Sequence, residues 1–184
     1  MKDMFIALWF FLPAGIGNMA PIGAARFPGL RNLTAPIDCG KTFRGGRLLG
    51  AHKTWRGLLS GIFFAVLTLW GQQVLVTHVA WLSNITASIN YPHLPIVLLG
   101  ILFGFGALGG DAVKSFFKRR AGVLPGRSWF PFDQIDYIVG SALATSFIVR
   151  LTVAQYVWAV VLGLFVHLGA SYAGYLAHFK DRPI

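Results

Sequence analysis

Residues 57–110 read GLLSGIFFAVLTLWGQQVLVTHVAWLSNITASINYPHLPIVLLGILFGFGALGG and contain no aspartate, glutamate, lysine or arginine. A helix that spans a membrane needs about 20 apolar residues to cross a hydrocarbon core of about 30 Å. The stretch is too long for one such helix, and asparagine and proline, which favour loops, interrupt it at residues 83–95. It therefore predicts two membrane helices, at about 57–77 and 95–110, joined by a loop.

The rest of the chain is similarly apolar. Of its 184 residues, 55% are hydrophobic and 12% are charged, whereas soluble domains carry about 25% charged residues. Three further charge-free runs lie at residues 4–25, 137–149 and 151–179. They predict a first helix at 4–25, a fourth from about 133 to 150, and a fifth within 151–179. We therefore predict an all-α integral membrane protein, with about five transmembrane helices in a single membrane domain over residues 1–184.

Lysine and arginine are unevenly distributed along the chain. Seven of the sixteen lie in residues 26–56 and five in residues 111–132, next to predicted helices. Cytoplasmic loops of membrane proteins carry an excess of these residues. Placing both loops in the cytoplasm, together with the C-terminus, leaves only two basic residues on the outer side. The sequence thus predicts an outer N-terminus, a cytoplasmic C-terminus and two basic cytoplasmic loops that carry the site. The four basic residues outside these loops are Lys2, Arg150, Lys180 and Arg182.

The net charge of +10 limits the classes of partner. A strongly basic chain can bind nucleic acid, anionic lipid headgroups or a phosphorylated substrate. Because the basic residues adjoin membrane helices, the phosphates that they meet are expected at the bilayer surface, and nucleic acid is not an expected partner. The composition also excludes a disordered chain and a soluble dinucleotide-binding fold, and the single cysteine, Cys39, excludes an internal disulfide.

Three of the six acidic residues, Asp111, Asp133 and Asp136, fall at the cytoplasmic ends of predicted helices. Only 13 uncharged residues separate Asp136 from Arg150, and they rise about 20 Å, which is less than the thickness of the hydrocarbon core. An ionised carboxylate near this boundary is costly unless it is paired, hydrated or bound to a metal. The alternative is that Asp133 and Asp136 only start a helix, with Asp133 as its N-cap.

A polar face continues the third predicted helix beyond the membrane. Asp111, Lys114, Ser115 and Lys118 are spaced at i, i+3, i+4 and i+7, which places them on one side of a helix. A carboxylate and two lysines on one face suit a metal-bound phosphate. The alternative is a solvated helix that is stabilised by ion pairs three residues apart.

The first basic loop contains a short repeat. Residues 41–45 read KTFRG, and residues 53–57 read KTWRG at the start of the second predicted helix. Helix N-termini bind phosphate through free backbone N–H groups. Lys53 and Arg56 would add positive charge there, and Gly57 would allow a close approach of the backbone. The alternative is a basic anchor that contacts anionic lipid headgroups.

Several motifs together resemble the CDP-archaeol synthase family: KTWRG at 53–57, GDAVKSFFKRR at 110–120 and DQIDY at 133–137. The resemblance extends over nearly the whole chain, through Leu12-Pro13, Asn18, Pro21 and Pro36-Ile37-Asp38. The family is related to the larger phosphatidate cytidylyltransferases. Of their signature the chain keeps Ser115-x-x-Lys118-Arg119 and Asp133-x-x-Asp136, but it lacks the K-D and H-G-G elements.

The resemblance implies a multi-pass enzyme of the cell membrane with a cytoplasmic active site. Such an enzyme transfers CMP from CTP to a lipid phosphate of the archaetidic-acid type, giving a CDP-lipid and pyrophosphate. Diacyl phosphatidic acid remains an alternative substrate, and the oligomeric state remains open. A small transporter or lipid flippase is the other alternative, since it too would place charges among membrane helices. The concentration of charge on one side favours chemistry at one surface.

For this reaction the residues fall into two groups. Asp111, Asp133 and Asp136 are expected to bind Mg²⁺, which prefers oxygen ligands and bridges phosphates, and to form the catalytic group with Lys114. The others are expected to bind CTP and the lipid phosphate: Lys41, Arg44, Arg47, Lys53, Thr54, Arg56, Gly57, Ser115, Lys118 and Arg119.

Overall fold

The structure, a computed structural model, describes residues 1–27, 29–30, 32–43, 46–49, 53–124, 127–176 and 178. The fold in this part of the chain is helical, and the first basic loop adds a short antiparallel ribbon of two strands. The helices are α1 (Lys2–Arg26), α2 (Trp55–His78), α3 (Ala80–Ile85), α4 (Ile96–Arg120), α5 (Phe132–Thr145) and α6 (Val153–Leu176). The strands are β1 (Thr42–Phe43) and β2 (Gly46–Arg47).

Within the ranges that the structure describes, four helices, α1, α2, α4 and α6, are long and apolar enough to cross a membrane. The prediction of a helical membrane protein is thereby confirmed. The predicted fourth helix corresponds to α5, which has 14 residues and is about 21 Å long at 1.5 Å per residue. It ends at Thr145 rather than near Arg150. The backbone N–H groups of Ile148 and Val149 both donate to the Thr145 carbonyl at 3.0 Å, which closes a turn instead of extending the helix.

Consecutive long helices pack side by side in opposite directions. Gly17 of α1 faces Gly61 of α2, and nearer the start of α1 the Gln72 amide donates to the Trp9 carbonyl at 2.5 Å. Likewise, α2 and α4 run antiparallel, as Gly100 meets Val66 and Gly104 meets Ile62. One end of the bundle therefore collects the end of α1, the start of α2, the end of α4 and the start of α5. We call it the site end.

The opposite end of the bundle is closed by the connection between α2 and α4. The sequence predicted a plain loop here, but the connection contains α3 and a 3₁₀ turn at Tyr91–His93. Leu82, Ile89 and Tyr91 from this segment are buried in the same core as Phe10. These apolar side chains, interspersed among polar ones, pack under the helices and give the connection its structure.

Close contact between α4 and α5 depends on two glycines. A Cβ atom on Gly110 would collide with the carbonyl oxygen of Asp136, and one on Gly140 would collide with that of Gly106. The two backbones therefore touch, as helices with small residues at their interface do in membranes. This contact brings Asp136 of α5 beside Asp111 of α4.

Candidate active site

Three carboxylates from two helices surround the ammonium group of Lys114. The Lys114 Nζ atom lies 3.1 Å from Asp111 Oδ1, 2.5 Å from Asp133 Oδ1 and 3.0 Å from Asp136 Oδ2. All four side chains are largely buried, with exposed fractions between 6% and 18%. At such burial each charge requires a partner, and the four groups supply partners to one another.

Lys118 extends this cluster along α4. Its Nζ atom lies 2.5 Å from Asp133 Oδ2, which also accepts a hydrogen bond from the Trp129 backbone N–H at 2.6 Å. Asp133 stands in the first turn of α5, so its charge is also favoured by the helix dipole. The N-cap of α5 is Pro131, not Asp133 as the alternative interpretation predicted, so Asp133 lies in the first turn and takes part in the cluster.

Lys53 reaches the cluster from the first basic loop, where its ammonium pairs with Asp111 Oδ2. The backbone before α2 is fixed by pairing with an earlier segment. The Ile37 N–H donates to the Lys53 carbonyl at 2.8 Å, and the Trp55 N–H donates to the Ala35 carbonyl at 3.1 Å. The second copy of the KTxRG repeat is therefore held beside Asp111 of α4.

Thr54 caps α2, since its Oγ1 accepts a hydrogen bond from the Gly57 N–H at 3.2 Å. Both residues line a cavity of about 190 Å³ between α1, α2 and α4. Its polar side chains are those of Asn18, Lys53, Thr54 and Asp111.

A larger apolar groove of about 820 Å³ lies beside this cavity, along α1 and α2. Leu59, Phe63 and Phe64 of α2 line it, and Arg56 lies at the N-terminal end of that face. The groove faces outward on the helices that can span the membrane, so its expected contents are lipid chains. The other lining residues are Ile16, Met19, Ala20, Gly23, Ala24, Phe27, Leu30, Leu33 and Ser60.

Arg47, one of the predicted phosphate-binding residues, pairs with an aspartate of its own loop. Its guanidinium forms an ion pair with Asp38 at 3.0 Å, and the backbone N–H groups of Gly40 and Leu49 also donate to this carboxylate, at 3.0 and 3.1 Å. Burial opposes ionisation of Asp38, but these donors outweigh it and hold the pKa of the carboxyl below its usual range. Arg47 is thus placed as a support of the loop.

The remaining predicted residues are more scattered. Arg56 donates to the Leu30 carbonyl at 3.0 Å, and Arg119 donates to the Val123 carbonyl at 2.8 Å. Ser115 is buried on α4, and Lys41 is exposed on the loop. The structure therefore brings Lys53, Thr54, Gly57, Lys114 and Lys118 together with the three aspartates. Arg44 lies outside the described residues.

A residue that the sequence did not single out joins the two basic loops. The Arg120 guanidinium stacks on the Phe116 ring at 3.3 Å and lies 5.0 Å from the Phe43 ring. This cation–π contact holds strand β1 against α4. Phe43 occupies the aromatic position of the first KTxRG copy, but nothing in the linear sequence pairs it with Arg120.

The donor set at the cluster suits Mg²⁺, because three carboxylate oxygens converge on one point. That point is taken by the Lys114 ammonium. Accordingly, no group of three acidic or histidine side chains stands ready to hold a metal ion within the described ranges. Asp111, Asp133 and Asp136 are thus of the residue type that binds Mg²⁺, while the position between them holds the Lys114 ammonium.

Fold and site together define a polytopic helical membrane protein with a charged site at one end of the bundle and an apolar groove beside it. A sequence model of one family, described as CarS-like CDP-archaeol synthase, matches residues 1–184. The chain therefore belongs to the CDP-archaeol synthase family, and the resemblance seen in its motifs is confirmed.

Individual relatives agree with this assignment. A CDP-archaeol synthase of Thermococcus kodakarensis is 37% identical over 100% of this chain and 98% of its own. That of Methanosphaerula palustris is 39% identical over 94% and 99%. A solved structure, described as an intramembrane enzyme for archaeal membrane lipid biosynthesis, is similar with a TM-score of 0.67. It is 31% identical and covers 89% of this chain and 91% of its own.

Proposed function

We propose that the protein transfers CMP from CTP to a membrane lipid phosphate of the archaetidic-acid type, releasing pyrophosphate. Membership of the family makes the chain a nucleotidyltransferase. The observation that carries the proposal is the meeting of three lysines and three aspartates, Lys53, Lys114, Lys118, Asp111, Asp133 and Asp136, beside a lipid-sized groove.

In this reaction an oxygen of the lipid phosphate attacks the α-phosphorus of CTP. A new P–O bond forms, the bond between the α-phosphorus and the oxygen that bridges it to the β-phosphate breaks, and pyrophosphate leaves. The nucleophile is already ionised, so the site needs no strong general base. Catalysis instead requires that several negative charges be held together and neutralised in the right geometry.

The cluster can hold and neutralise these negative charges, because its side chains are positioned by packed helices. Lys114 and Lys118 stand on one face of α4, and Lys53 approaches it from the start of α2. Each ammonium can exchange a carboxylate partner for a phosphate oxygen and form a charge-assisted hydrogen bond. Mg²⁺, held by the three aspartates, would neutralise charge on the phosphates of CTP.

The groove gives the lipid phosphate a route to the cluster. The first turn of α2 separates groove from cavity, with Arg56 on the groove side and Thr54 and Gly57 on the cavity side. Lipid chains lying along Phe63 and Phe64 would place their phosphate at this turn. The apolar lining does not distinguish lipids with ether linkages from lipids with ester linkages. An assay with both kinds of lipid phosphate tests which of them the protein prefers.

The test of the function is CDP-lipid formation by the purified protein in detergent. Labelled CTP is incubated with Mg²⁺ and with ether or ester lipid phosphates. We expect a labelled CDP-lipid and an equal amount of pyrophosphate. A transporter has no sealed compartment to act on in detergent, so absence of product with every lipid phosphate would contradict the enzyme.

We also propose five membrane-crossing segments, with α5 as the short fourth one, an outer N-terminus and the site end in the cytoplasm of a cell-membrane protein. The support is the alternation of helix directions and the location of both basic loops at one end. Short hydrophobic segments are tolerated where the bilayer thins or flanking side chains reach the interface.

Native Cys39, which is exposed in the first basic loop, reports this orientation directly. In sealed right-side-out vesicles we expect an impermeant thiol reagent to label it only after the membrane is opened. In a Cys39→Ser background, Ala121→Cys should behave in the same way, because it follows α4 at the site end. Ser88→Cys, exposed at the opposite end, should react in intact vesicles. Labelling of Cys39 and Ser88→Cys from the same side would contradict the orientation.

Lys53 tests whether the second KTxRG copy binds phosphate. We expect Lys53→Ala to lower kcat/KM for CTP roughly 10- to 150-fold, since a charge-assisted hydrogen bond contributes about 1.5–3 kcal/mol. Lys2→Ala is the matched control, because it removes the same charge at the opposite end of the bundle. Equal kcat/KM values for the two variants would remove Lys53 from the site while leaving the reaction itself intact.

A further inference from the structure

Asn18 of α1 lies where the polar cavity meets the apolar groove. Its side chain lines the cavity, while its neighbours Met19 and Ala20 line the groove. The same division occurs across the interface on α2, where Gly57 lines the cavity and Arg56 the groove. Asn18 therefore lies at the boundary that the polar end of a groove-bound lipid would cross to enter the cavity.

The Asn18 carboxamide is half-buried and available. In the cavity, Lys53 pairs with Asp111, and the Thr54 hydroxyl accepts a hydrogen bond from α2. Within the described part of the chain, the Asn18 side chain has no such partner. A carboxamide carries two N–H donors and an acceptor oxygen, so this half-buried group can form hydrogen bonds to a ligand in the cavity. The Asn18 carboxamide is thus positioned to bind a ligand that enters the cavity.

We infer that Asn18 binds the phosphate end of the lipid substrate, an inference that rests on the proposed function. The carboxamide N–H groups can donate to a phosphate oxygen, and such a bond to a charged acceptor is short and strong. Lys114, Lys118 and Asp133 do not line the cavity. Asn18 stands on α1, whose next two residues line the groove, so it borders the lipid side of a cavity that Lys53 and Asp111 of the cluster also line. On this basis Asn18 is assigned to the lipid phosphate rather than to CTP.

The experiment measures KM for lipid phosphate in mixed micelles and KM for CTP separately. Asn18→Ala is expected to raise KM for lipid phosphate roughly tenfold, equivalent to about 1.4 kcal/mol, and to leave KM for CTP unchanged. Asn18→Asp keeps the shape but repels a phosphate, so it should raise KM for the lipid further. The control is Asn84→Ala, because Asn84 is exposed in α3 at the opposite end.

The variants separate binding from packing. A packing role would spare Asn18→Asp, which has the same size, so a normal KM for lipid phosphate in that variant would overturn the inference even if Asn18→Ala does not fold. A rise in KM for CTP alone would also overturn it, since Asn18 would then belong to the nucleotide side. Wild type that forms no CDP-lipid would refute the proposed function itself, which is a distinguishable result.

Discussion

Asp111→Asn is expected to lower kcat by at least about a hundredfold, which corresponds to about 2.7 kcal/mol of transition-state stabilisation. The substitution keeps the side-chain shape but removes the charge that pairs with both Lys53 and Lys114. It also removes a hard oxygen ligand from the proposed Mg²⁺ site. The measurement is pyrophosphate release from CTP with lipid phosphate and Mg²⁺ in detergent. Asp133→Asn is expected to cause a loss of the same order, because its carboxylate holds Lys114 and Lys118.

Asp3→Asn is the matched control for both variants. Asp3 accepts a hydrogen bond from Gln155 at 2.9 Å at the opposite end of the bundle, so the change removes one negative charge far from the cluster. We expect its kcat to equal that of wild type. If Asp111→Asn and Asp133→Asn turned over normally and lost only about 1 kcal/mol of stability, the two acids would stabilise the helices without taking part in catalysis.

The sequence predicted the long helices well because the length of an apolar run is a local property. The charge-free runs locate α1, α2, α4 and α6 to within a few residues, apart from the polar continuation of α4, which the i, i+3, i+4, i+7 spacing indicated. The end of α5 was predicted about a turn too late. The position of this end depends on which carbonyl oxygen accepts the hydrogen bonds from the Ile148 and Val149 N–H groups. Amino-acid composition does not predict which carbonyl accepts these bonds.

The sequence predicted which residues belong to the site better than it predicted how they are arranged. Spacing alone places Asp111, Lys114 and Lys118 on one face of α4. Joining them to Asp136 requires the backbone contact at Gly110, which is a property of two helices together. The sequence also suggested separate roles, aspartates for metal and lysines for phosphate. The structure interleaves the two sets, since a single face carries both signs of charge.

Lys114→Met is the variant that tests why the two sets are interleaved. Removing one ammonium leaves three largely buried carboxylates without their shared partner, and breaking a buried ion pair costs about 3–5 kcal/mol. We therefore expect a clear fall in the unfolding temperature together with loss of turnover. Because the three carboxylates then lack their shared counter-charge, we also expect Mg²⁺ to raise the unfolding temperature of Lys114→Met more than that of wild type. The expectation follows from linkage, since a ligand that binds only the folded state stabilises it.

Two comparisons make the Lys114→Met result decisive. NaCl at the same ionic strength screens repulsion among the carboxylates without coordinating them, so any extra stabilisation by Mg²⁺ reflects binding. Lys2→Met removes a lysine at the opposite end and should show no difference between the two salts. If Mg²⁺ stabilised Lys114→Met no more than NaCl does, the three aspartates would not form a cation site, and the lysines around them, Lys53, Lys114 and Lys118, would be their counter-charges. If Mg²⁺ stabilised Lys114→Met more than NaCl does, the three carboxylates would form a cation site. Because like charges at these distances repel one another, they need a counter-charge both before and after substrate binds. Lys114 would then supply that charge until the metal and the nucleotide replace it.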